Sequence, residues 1–382
     1  MKKNKILFIS PFILDGEYGG SMGSRSKLDL LSNYFDVTSL SFPRSQDRNK
    51  AYSVDIEIAG TQSKLHTAIS NIFLLSGRLT ASSMKKVKKI VSSKEFDCVF
   101  LDTSYYGWIA KFCHKIGMPC VAMIHNVEFD FELSRLKMGQ LHYLPSFASA
   151  VMNEFLTLRH ADAVITLHSA DSKRLETLYG QPAKFSWPVL MRDSLSSIAQ
   201  HPPSNSNKKN ILFVGTSFYG NMEAVLFYVK EVIPLISNEL NFEFQIIGRG
   251  FENFKEIENY HSSIKVYGKV DDVASFYANA HMVVAPIFSG AGMKVKIAEA
   301  MMYGKPVVAS EFALIGYEGS IDEDNLVVCK TSEDFVIQSE RLIRSGNGYS
   351  AKNREEFLLK YSYSAEHEYL DKISSYINSI AT

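Results

Sequence analysis

Apolar residues in this chain fall into short unbroken runs, separated by stretches in which they recur every three or four positions. Lys5–Ser10, Cys98–Asp102, Cys120–His125 and Ala163–Leu167 are built on such runs, which have the length and character of strands buried on both faces. Between them, Ser24–Tyr34, Tyr105–His114 and Asp171–Tyr179 carry helical spacing, and Gly180 with Pro182 closes the last of these helices. The pattern changes between Arg192 and Lys209, where Ser, Asn, Pro and Gln dominate in His201-Pro-Pro-Ser-Asn-Ser-Asn207. It then restarts. Strands are predicted at Ile211–Gly215, Phe242–Gly248, Ile264–Gly268 and Met282–Ile287 and from Val307 onward, with a long amphipathic helix over Asn221–Ile236 and shorter ones over Asp271–Ala280 and Met293–Tyr303. Gly304 and Pro306 stop the Met293–Tyr303 helix. Strands that alternate with helices pair in parallel, so the fold class is α/β: two Rossmann-like, doubly wound domains facing each other across a cleft. The boundaries read as 1–195 for the first domain, 196–209 for a linker and 210–360 for the second domain. Residues 361–382 form a closing helix, with Tyr369, Ile373, Tyr376, Ile377 and Ile380 at helical spacing.

At 382 residues the chain exceeds one ordinary core, which agrees with two domains. Lys plus Arg and Asp plus Glu are both 41, so the overall balance does not predict a nucleic-acid partner. Cys98, Cys113, Cys120 and Cys329 are scattered without a CxxC pair, as expected of reduced thiols in a cytoplasmic protein. The start, Met-Lys-Lys-Asn-Lys before Ile6–Ile9, reads as a first strand and not a signal peptide, because Pro11, Asp15 and Glu17 interrupt the apolar stretch. No run of eighteen apolar residues is present to span a membrane.

Ligands of doubly wound sheets sit beyond the carboxyl ends of the strands. The loops to inspect therefore follow Ser10, His125, Gly215, Gly248, Gly268 and Ile287. The last of them is the most informative. Phe288-Ser-Gly-Ala-Gly-Met-Lys294-Val-Lys296-Ile-Ala-Glu299 places Lys294 and Lys296 in the expected first helical turn, where the macrodipole disfavours a cation by about 0.3–1 kcal/mol. Beside the small residues Gly290, Ala291 and Gly292, that charge points to a phosphate; the plain alternative is a pair of solvated lysines. Glu299, one turn beyond Lys296, is placed to face the same ligand. Gly19-Gly20 ahead of a helix, with Arg25 following, permits close approach of backbone to a ligand or is a plain turn. Gly248-Arg249-Gly250 begins like a dinucleotide fingerprint, but Asn253 replaces its third glycine. His125 ends a strand on the ligand side, and the acidic loop behind it (Glu128, Asp130, Glu132) reads as a base, a metal ligand or solvated surface. Asp322-Glu-Asp324 reads as an exposed turn and not as a metal motif. Lys85, Lys86, Lys88 and Lys89, near Ile72-Phe-Leu-Leu75, are either a solvated helix face or a contact for an anionic membrane surface.

Nearly the whole chain resembles the group 1 (family 4) retaining glycosyltransferases of GT-B fold. The resemblance rests on Phe213-Val-Gly215, Ile246-Ile-Gly248-Arg-Gly250, Val266-Tyr-Gly268-Lys-Val270, Ala285-Pro286, the Gly290-to-Ala300 segment and Gly304-Lys-Pro-Val-Val308, with Gly19-Gly20, His125-Asn-Val-Glu128 and Ala161-to-Ile165 in the first half. The Gly-x-Gly-x-Lys-x-Lys-x-x-Glu-Ala segment is the specific part. The resemblance implies transfer of a sugar from a nucleotide-diphosphate donor, UDP- or GDP-linked, to a glycan or lipid-linked acceptor. It implies no metal and no other cofactor, and a place in bacterial surface polysaccharide synthesis in the cytoplasm or at the inner membrane face. Carried over by position, Glu299 accepts from the ribose hydroxyls, the backbone at Arg249 and Val270 meets the base, and Gly290, Ala291, Gly292, Met293 and Lys294 hold the diphosphate. Gly19, Gly20 and Arg25 help from the first domain, and His125 sits near the reacting carbon. Two departures stand out. Ala291 occupies the place of the first of two glutamates common in the family, and Thr216–Asn221 lacks the Arg and Lys that many members carry there. The resemblance assigns the missing charge to Lys294, with Arg25 or Arg249. Two other readings share the fold: a sugar-nucleotide epimerase, and a non-catalytic sugar-nucleotide-binding paralogue that stabilises a partner.

Overall fold

A computed structural model of the chain describes residues 3–14, 19–43, 52–137, 139–195, 208–345 and 348–381. The chain folds as two units, 1–190 together with 366–382, and 191–365. The linker expected at 196–209 lies, except for its last two residues, outside the described residues. The helix expected to close the chain is Glu366–Ile380 and belongs to the first unit.

In the first unit, β1 (Lys5–Ile9), β2 (Asp36–Ser41), β3 (Ile56–Glu57), β4 (Cys98–Leu101), β5 (Cys120–Ile124), β6 (Ala163–Thr166) and β7 (Phe185–Ser186) form one sheet in the order β3-β2-β1-β4-β5-β6-β7. Its described pairings are all parallel. β1 leaves towards β2 on one side, and the chain returns to β4 on the other, so the topological switch point falls between β1 and β4. In the second unit, β8 (Lys209–Val214), β9 (Phe242–Ile247), β10 (Ile264–Gly268), β11 (Met282–Ala285), β12 (Val307–Ser310) and β13 (Leu326–Cys329) are also parallel, in the order β10-β9-β8-β11-β12-β13. Here the switch point lies between β8 and β11.

The apolar runs become central strands because both of their faces are covered. Every residue of β4, β5, β6, β11 and β12 is buried. Helices stop where glycine can take a left-handed backbone: Gly117 (φ 69°) after Gly107–Ile116, Gly180 (φ 71°) after Ser169–Tyr179 and Gly304 (φ 60°) just after Val295–Met302.

Four expectations are corrected. The helix expected over Asn221–Ile236 is α-helical only at Tyr219–Phe227. It widens to a π turn at Tyr228–Val232 and ends as a tight turn at Ile233–Leu235. Pro234 accounts for this, since its ring would strike the carbonyl four residues back and it has no N–H to give. The helix expected at Asp271–Ala280 shrinks to Ala274–Asn279. The acidic segment behind His125 is the helix Glu128–Lys137 and not a loop. Gly19 and Gly20 do not precede the first helix but open it, as Gly19–Tyr34.

Candidate functional site

In the second unit Gly215, Gly248, Gly250 and Gly268 sit at the carboxyl ends of β8, β9 and β10, where the backbone segments approach too closely for side chains. A Cβ on Gly248 (φ +139°) would lie 1.7 Å from the Gly215 carbonyl oxygen, and one on Gly250 (φ +95°) would lie 2.0 Å from Ser217 Oγ. The Ser217 N–H donates to the Arg249 carbonyl at 3.0 Å, and Gly248 N–H donates to Gly268 at 2.7 Å. Arg249 is exposed and Val270 half-buried, beyond β9 and β10, the first and second strands out from β8.

Across the switch point, the loop after β11 is shaped by Gly290 (φ +120°) and Gly292 (φ +65°), conformations that L side chains rarely adopt. This geometry holds the chain out of the helix longer than its apolar spacing suggests. The helix is Val295–Met302, with Lys294 at its cap in extended backbone (φ −89°, ψ 97°) and Lys296 inside the first turn. Ala291 is half-buried between the two glycines, and Met293 is buried with its side chain against Gly316. Ser289 Oγ donates to Glu223 at 2.5 Å and ties the loop to the helix Tyr219–Phe227.

The two lysines have different surroundings. Lys294 Nζ folds back to donate to Gly292 O at 2.6 Å and Ala291 O at 3.3 Å, and it lies 4.5 Å from the Phe312 ring centroid. Lys296 is only 9% exposed; its Nζ donates to Asn221 Oδ1 at 2.8 Å and sits 4.1 Å from the Phe213 ring. Burial pulls its pKa down to about 7, with Glu299 opposing and Lys294 adding to the fall. Glu299 Oε2 accepts from the hydroxyl of Tyr277 at 2.9 Å, and the Tyr277 ring stacks on Tyr303 at 5.0 Å. Burial raises the Glu299 pKa, against the pull of Tyr277 and Lys296. Glu299 as a residue is half-buried.

In the first unit, His125 follows β5 and Asp102 follows β4, which brings His125 Nε2 to 2.7 Å from Asp102 Oδ1. Asp102 is fully buried and its Oδ2 has no hydrogen-bond partner, whereas the His125 side chain is 19% exposed. A Cβ on Gly23 would sit 3.9 Å from the imidazole, so the helix Gly19–Tyr34 packs beside it. Lys27 of that helix is buried, donates to the carbonyls of Pro188 (2.6 Å) and Trp187 (3.3 Å), and acts on Asp102 through its charge. Burial lowers its pKa to about 7. Arg25 is buried too; its Nε donates to Ile13 O at 2.9 Å and its guanidinium lies 4.4 Å from the Tyr52 ring centre. Gly20 has open space around it.

Behind His125, Glu128 is buried and accepts from the Tyr105 hydroxyl at 2.7 Å. Desolvation pushes its pKa up to about 8, so it is largely a neutral acid at pH 7. Glu154 caps the same helix, accepting from the N–H groups of Glu128 (2.7 Å) and Phe129 (3.3 Å) and from the Tyr179 hydroxyl (2.7 Å). The Asp322–Asp324 turn is spent on itself: Asp322 accepts from the backbone of Asp324 and pairs with Lys352 at 3.0 Å, and Asp324 pairs with Arg341 at 2.8 Å.

Reading residues one segment at a time passes over Asp102, Lys27, Asn221 and Tyr277. For Asp102, the available signal was a carboxylate just past a central strand, the same position that marked His125. For Asn221 and Tyr277 the sequence offers none, because their partners are tens of residues away.

Two parallel α/β sheets of this order match the GT-B fold of glycosyltransferase structures. Solved structures agree at that level. Anabaena Alr3699/HepE, crystallised with UDP and glucose, superposes with a TM-score of 0.67 at 14% identity, covering 97% of this chain and 99% of its own. A glycosyltransferase from Rickettsia africae gives 0.68 at 12% identity, covering 99% of both chains. WaaG, a glycosyltransferase involved in lipopolysaccharide biosynthesis, gives 0.68 at 14% identity, covering 97% of this chain and 99% of its own. Residues 208–345, which span the second sheet, match the family described as Glycosyl transferases group 1. That match lies within the second unit. No curated protein matches the chain in sequence.

Proposed function

We propose that the chain is a retaining glycosyltransferase that moves a sugar from a nucleotide-diphosphate donor, UDP- or GDP-linked, to a glycan or lipid-linked acceptor in the synthesis of a bacterial surface polysaccharide. The observation that carries this reading is the β8/β11 switch point, where a left-handed glycine loop, two lysines and Glu299 meet. Glu299 accepts from the ribose hydroxyls, and Tyr277 keeps its carboxylate aimed. The loop from Gly290 to Lys294 meets the diphosphate, and lysine charge takes the place of a metal as negative charge builds on the leaving group. His125, oriented by Asp102, lies near the reacting carbon, and Gly20, with nothing within 4 Å of where a Cβ would be, gives backbone room in the same unit.

Peripheral membrane contact fits the lipid-linked form of the acceptor, and charge placement supports it. Residues 58–94 hold no Asp or Glu but seven Lys or Arg, although acids make up 41 of 382 residues overall. Within this stretch, the helix Lys64–Ile72 buries only Ser70 and leaves Leu65 (72% exposed), Ile72 (64%) and the following Phe73 (72%) uncovered. On the helix Ala81–Val91, Lys85, Lys86, Lys88 and Lys89 are exposed. An exposed apolar helix and a basic helix face within one segment suit peripheral contact with an anionic bilayer. Among the described residues, no helix is long and apolar enough to cross a membrane.

Thermal-shift measurements with UDP-, GDP-, CMP- and dTDP-sugars, followed by product analysis with and without acceptor, test the reading. Stabilisation by one donor and transfer only when acceptor is added is the expected result. Isomerised donor without acceptor would make the chain an epimerase, and binding with neither transfer nor hydrolysis would make it a non-catalytic paralogue. Flotation with phosphatidylglycerol vesicles, set against phosphatidylcholine, tests the membrane contact; no salt-sensitive binding to the anionic vesicles rejects it.

A further inference from the structure

The helix Leu144–His160 is built inside out. Its exposed positions are Leu144, Ala148, Met152, Phe155 and Arg159, one stripe at helical spacing. Its buried face carries polar side chains that are tied down: Ser149 Oγ lies 2.6 Å from Ser76 Oγ, Asn153 Nδ2 donates to Leu74 O at 2.9 Å, and Thr157 Oγ1 donates to Ser104 O at 3.0 Å. Glu154, the only charged residue in 144–158, is buried as well. A surface helix ordinarily turns these faces the other way. The inward hydrogen bonds fix the orientation, which leaves the apolar stripe uncovered, with Leu144 58% and Phe155 46% exposed.

We propose that this stripe seats one acyl chain of an anionic phospholipid, with the phosphate at Arg159. The proposal rests on the membrane contact given above and deepens it by naming a lipid and its seat. Leu144, Phe147, Val151, Met152 and Phe155, together with Tyr179, line a groove of about 460 Å³. The Tyr179 hydroxyl donates to Glu154 at 2.7 Å, which holds that ring in place. A second hollow of about 320 Å³ shares Phe155 and Tyr179 and adds Leu158, Arg159 and Gln181. No acidic residue lines either of them. From Leu144 to Phe155 the groove follows the helix for about 16 Å, a length suited to one aliphatic chain. Basic groups gather at its Arg159 end. Burial, and then the charges of His114, Lys111 and Arg159, lower the pKa of His160, whose ring lies 5.3 Å from that of His114. A second copy of the chain would bring the same stripe and the same basic groups, with no anion for Arg159. A phospholipid brings both the chain and the anion. Leu74 and Ser76, which anchor the helix, directly follow the exposed Ile72 and Phe73, so the groove shares its supports with the apolar helix Lys64–Ile72.

Calorimetry of the full chain with monomeric lysophosphatidylglycerol, set against lysophosphatidylcholine of equal chain length, reads the seat apart from any bilayer. The wild type should bind one lysophosphatidylglycerol per chain and the uncharged analogue more weakly. Each added methylene should tighten binding about two- to fourfold until the chain outgrows the groove. Phe155→Glu and Met152→Glu, which put a carboxylate on the stripe, should each weaken binding by roughly tenfold or more. Their melting temperatures should hold, because both positions are exposed. Arg159→Gln should cost about two- to fivefold, the range of an exposed ion pair. Equal affinity in both glutamate variants, or no dependence on chain length in the wild type, would refute the groove; equal binding of the two lysolipids would refute the seat for an anion. Flotation with phosphatidylglycerol vesicles separates this from the reading beneath it. Flotation unchanged in both variants, with no lysolipid bound, overturns the groove and leaves the membrane contact standing. Lysophosphatidylglycerol bound by a wild type that does not float overturns the bilayer as the source, and the membrane contact with it. A wild type that sediments as a dimer while Phe155→Glu sediments as a monomer gives the stripe to a second copy and overturns the lipid.

Discussion

Replacing Gly248 with alanine tests whether the glycines at the carboxyl ends of β8, β9 and β10 are a packing requirement of the second unit. The added Cβ would stand 1.7 Å from the carbonyl oxygen of Gly215 and 2.5 Å from its carbonyl carbon. An ordinary contact needs about 3.3 Å, so the two backbones must part by well over an ångström. Neither can yield cheaply, because Gly215 N–H donates to Ile247 O at 2.9 Å and Gly248 N–H to Gly268 O at 2.7 Å. Overpacking of this kind costs about 1–3 kcal/mol. The backbone at Gly248 (φ +139°) adds about 1–3 kcal/mol for any residue with a Cβ. Together these give a loss of about 4 kcal/mol, or a fall of about 8–16 °C in melting temperature for a unit of this size. Urea unfolding of Gly248→Ala beside the wild type measures it. Gly290→Ala is the control: it shares the positive φ (+120°) but meets nothing within 4 Å, so only the conformational part should appear. A loss below about 1 kcal/mol in Gly248→Ala would refute the reasoning.

Three further outcomes are expected. Asp102→Asn should lower turnover about a hundredfold with little change in donor KM, because the amide no longer fixes the protonation of His125 Nε2 across 2.7 Å; an unchanged turnover in a steady-state assay would remove Asp102 from the site. Tyr277→Phe should weaken donor binding roughly tenfold without unfolding the chain, since the ring stack on Tyr303 remains and only the 2.9 Å bond to Glu299 is lost; donor titration by fluorescence checks it. Glu128 gives a pH signature. Its folded pKa, pushed up to about 8, exceeds the ordinary 4.5, so the folded state holds a proton that the unfolded state releases. Stability should therefore fall as pH rises from about 4.5 to 8 and level off above, by at most about 5 kcal/mol from this group. Urea midpoints at pH 5, 7 and 9 should lose most of this slope in Glu128→Gln, and an equal slope in the variant would show that Glu128 does not carry it.

Central strands were legible to within about two residues because an unbroken apolar run buried on both faces has few alternatives: Cys98–Leu101 and Cys120–Ile124 each end one residue before the expected limit. β2 (Asp36–Ser41, DVTSLS) and the helix Leu144–His160 carry weaker patterns and became visible only as neighbours of other elements. The helix over Asn221–Ile236 was misjudged because apolar spacing continues through Pro234, while the hydrogen-bond ladder does not.

Local patterning carries the α/β class, the parallel pairing, and the glycine loop with its two lysines, since each depends on neighbours within a few residues. Pairing over longer range arises only on folding. Lys296 meets Asn221 across 75 positions, His125 meets Asp102 across 23, and Tyr277 meets Glu299 across 22. Two lysines with one residue between them therefore separate in the folded chain, one bonded to its own loop and one buried at the carboxyl end of β8. The reason is that strand order puts β8 beside β11, and burial at that junction sets the energy of a charge.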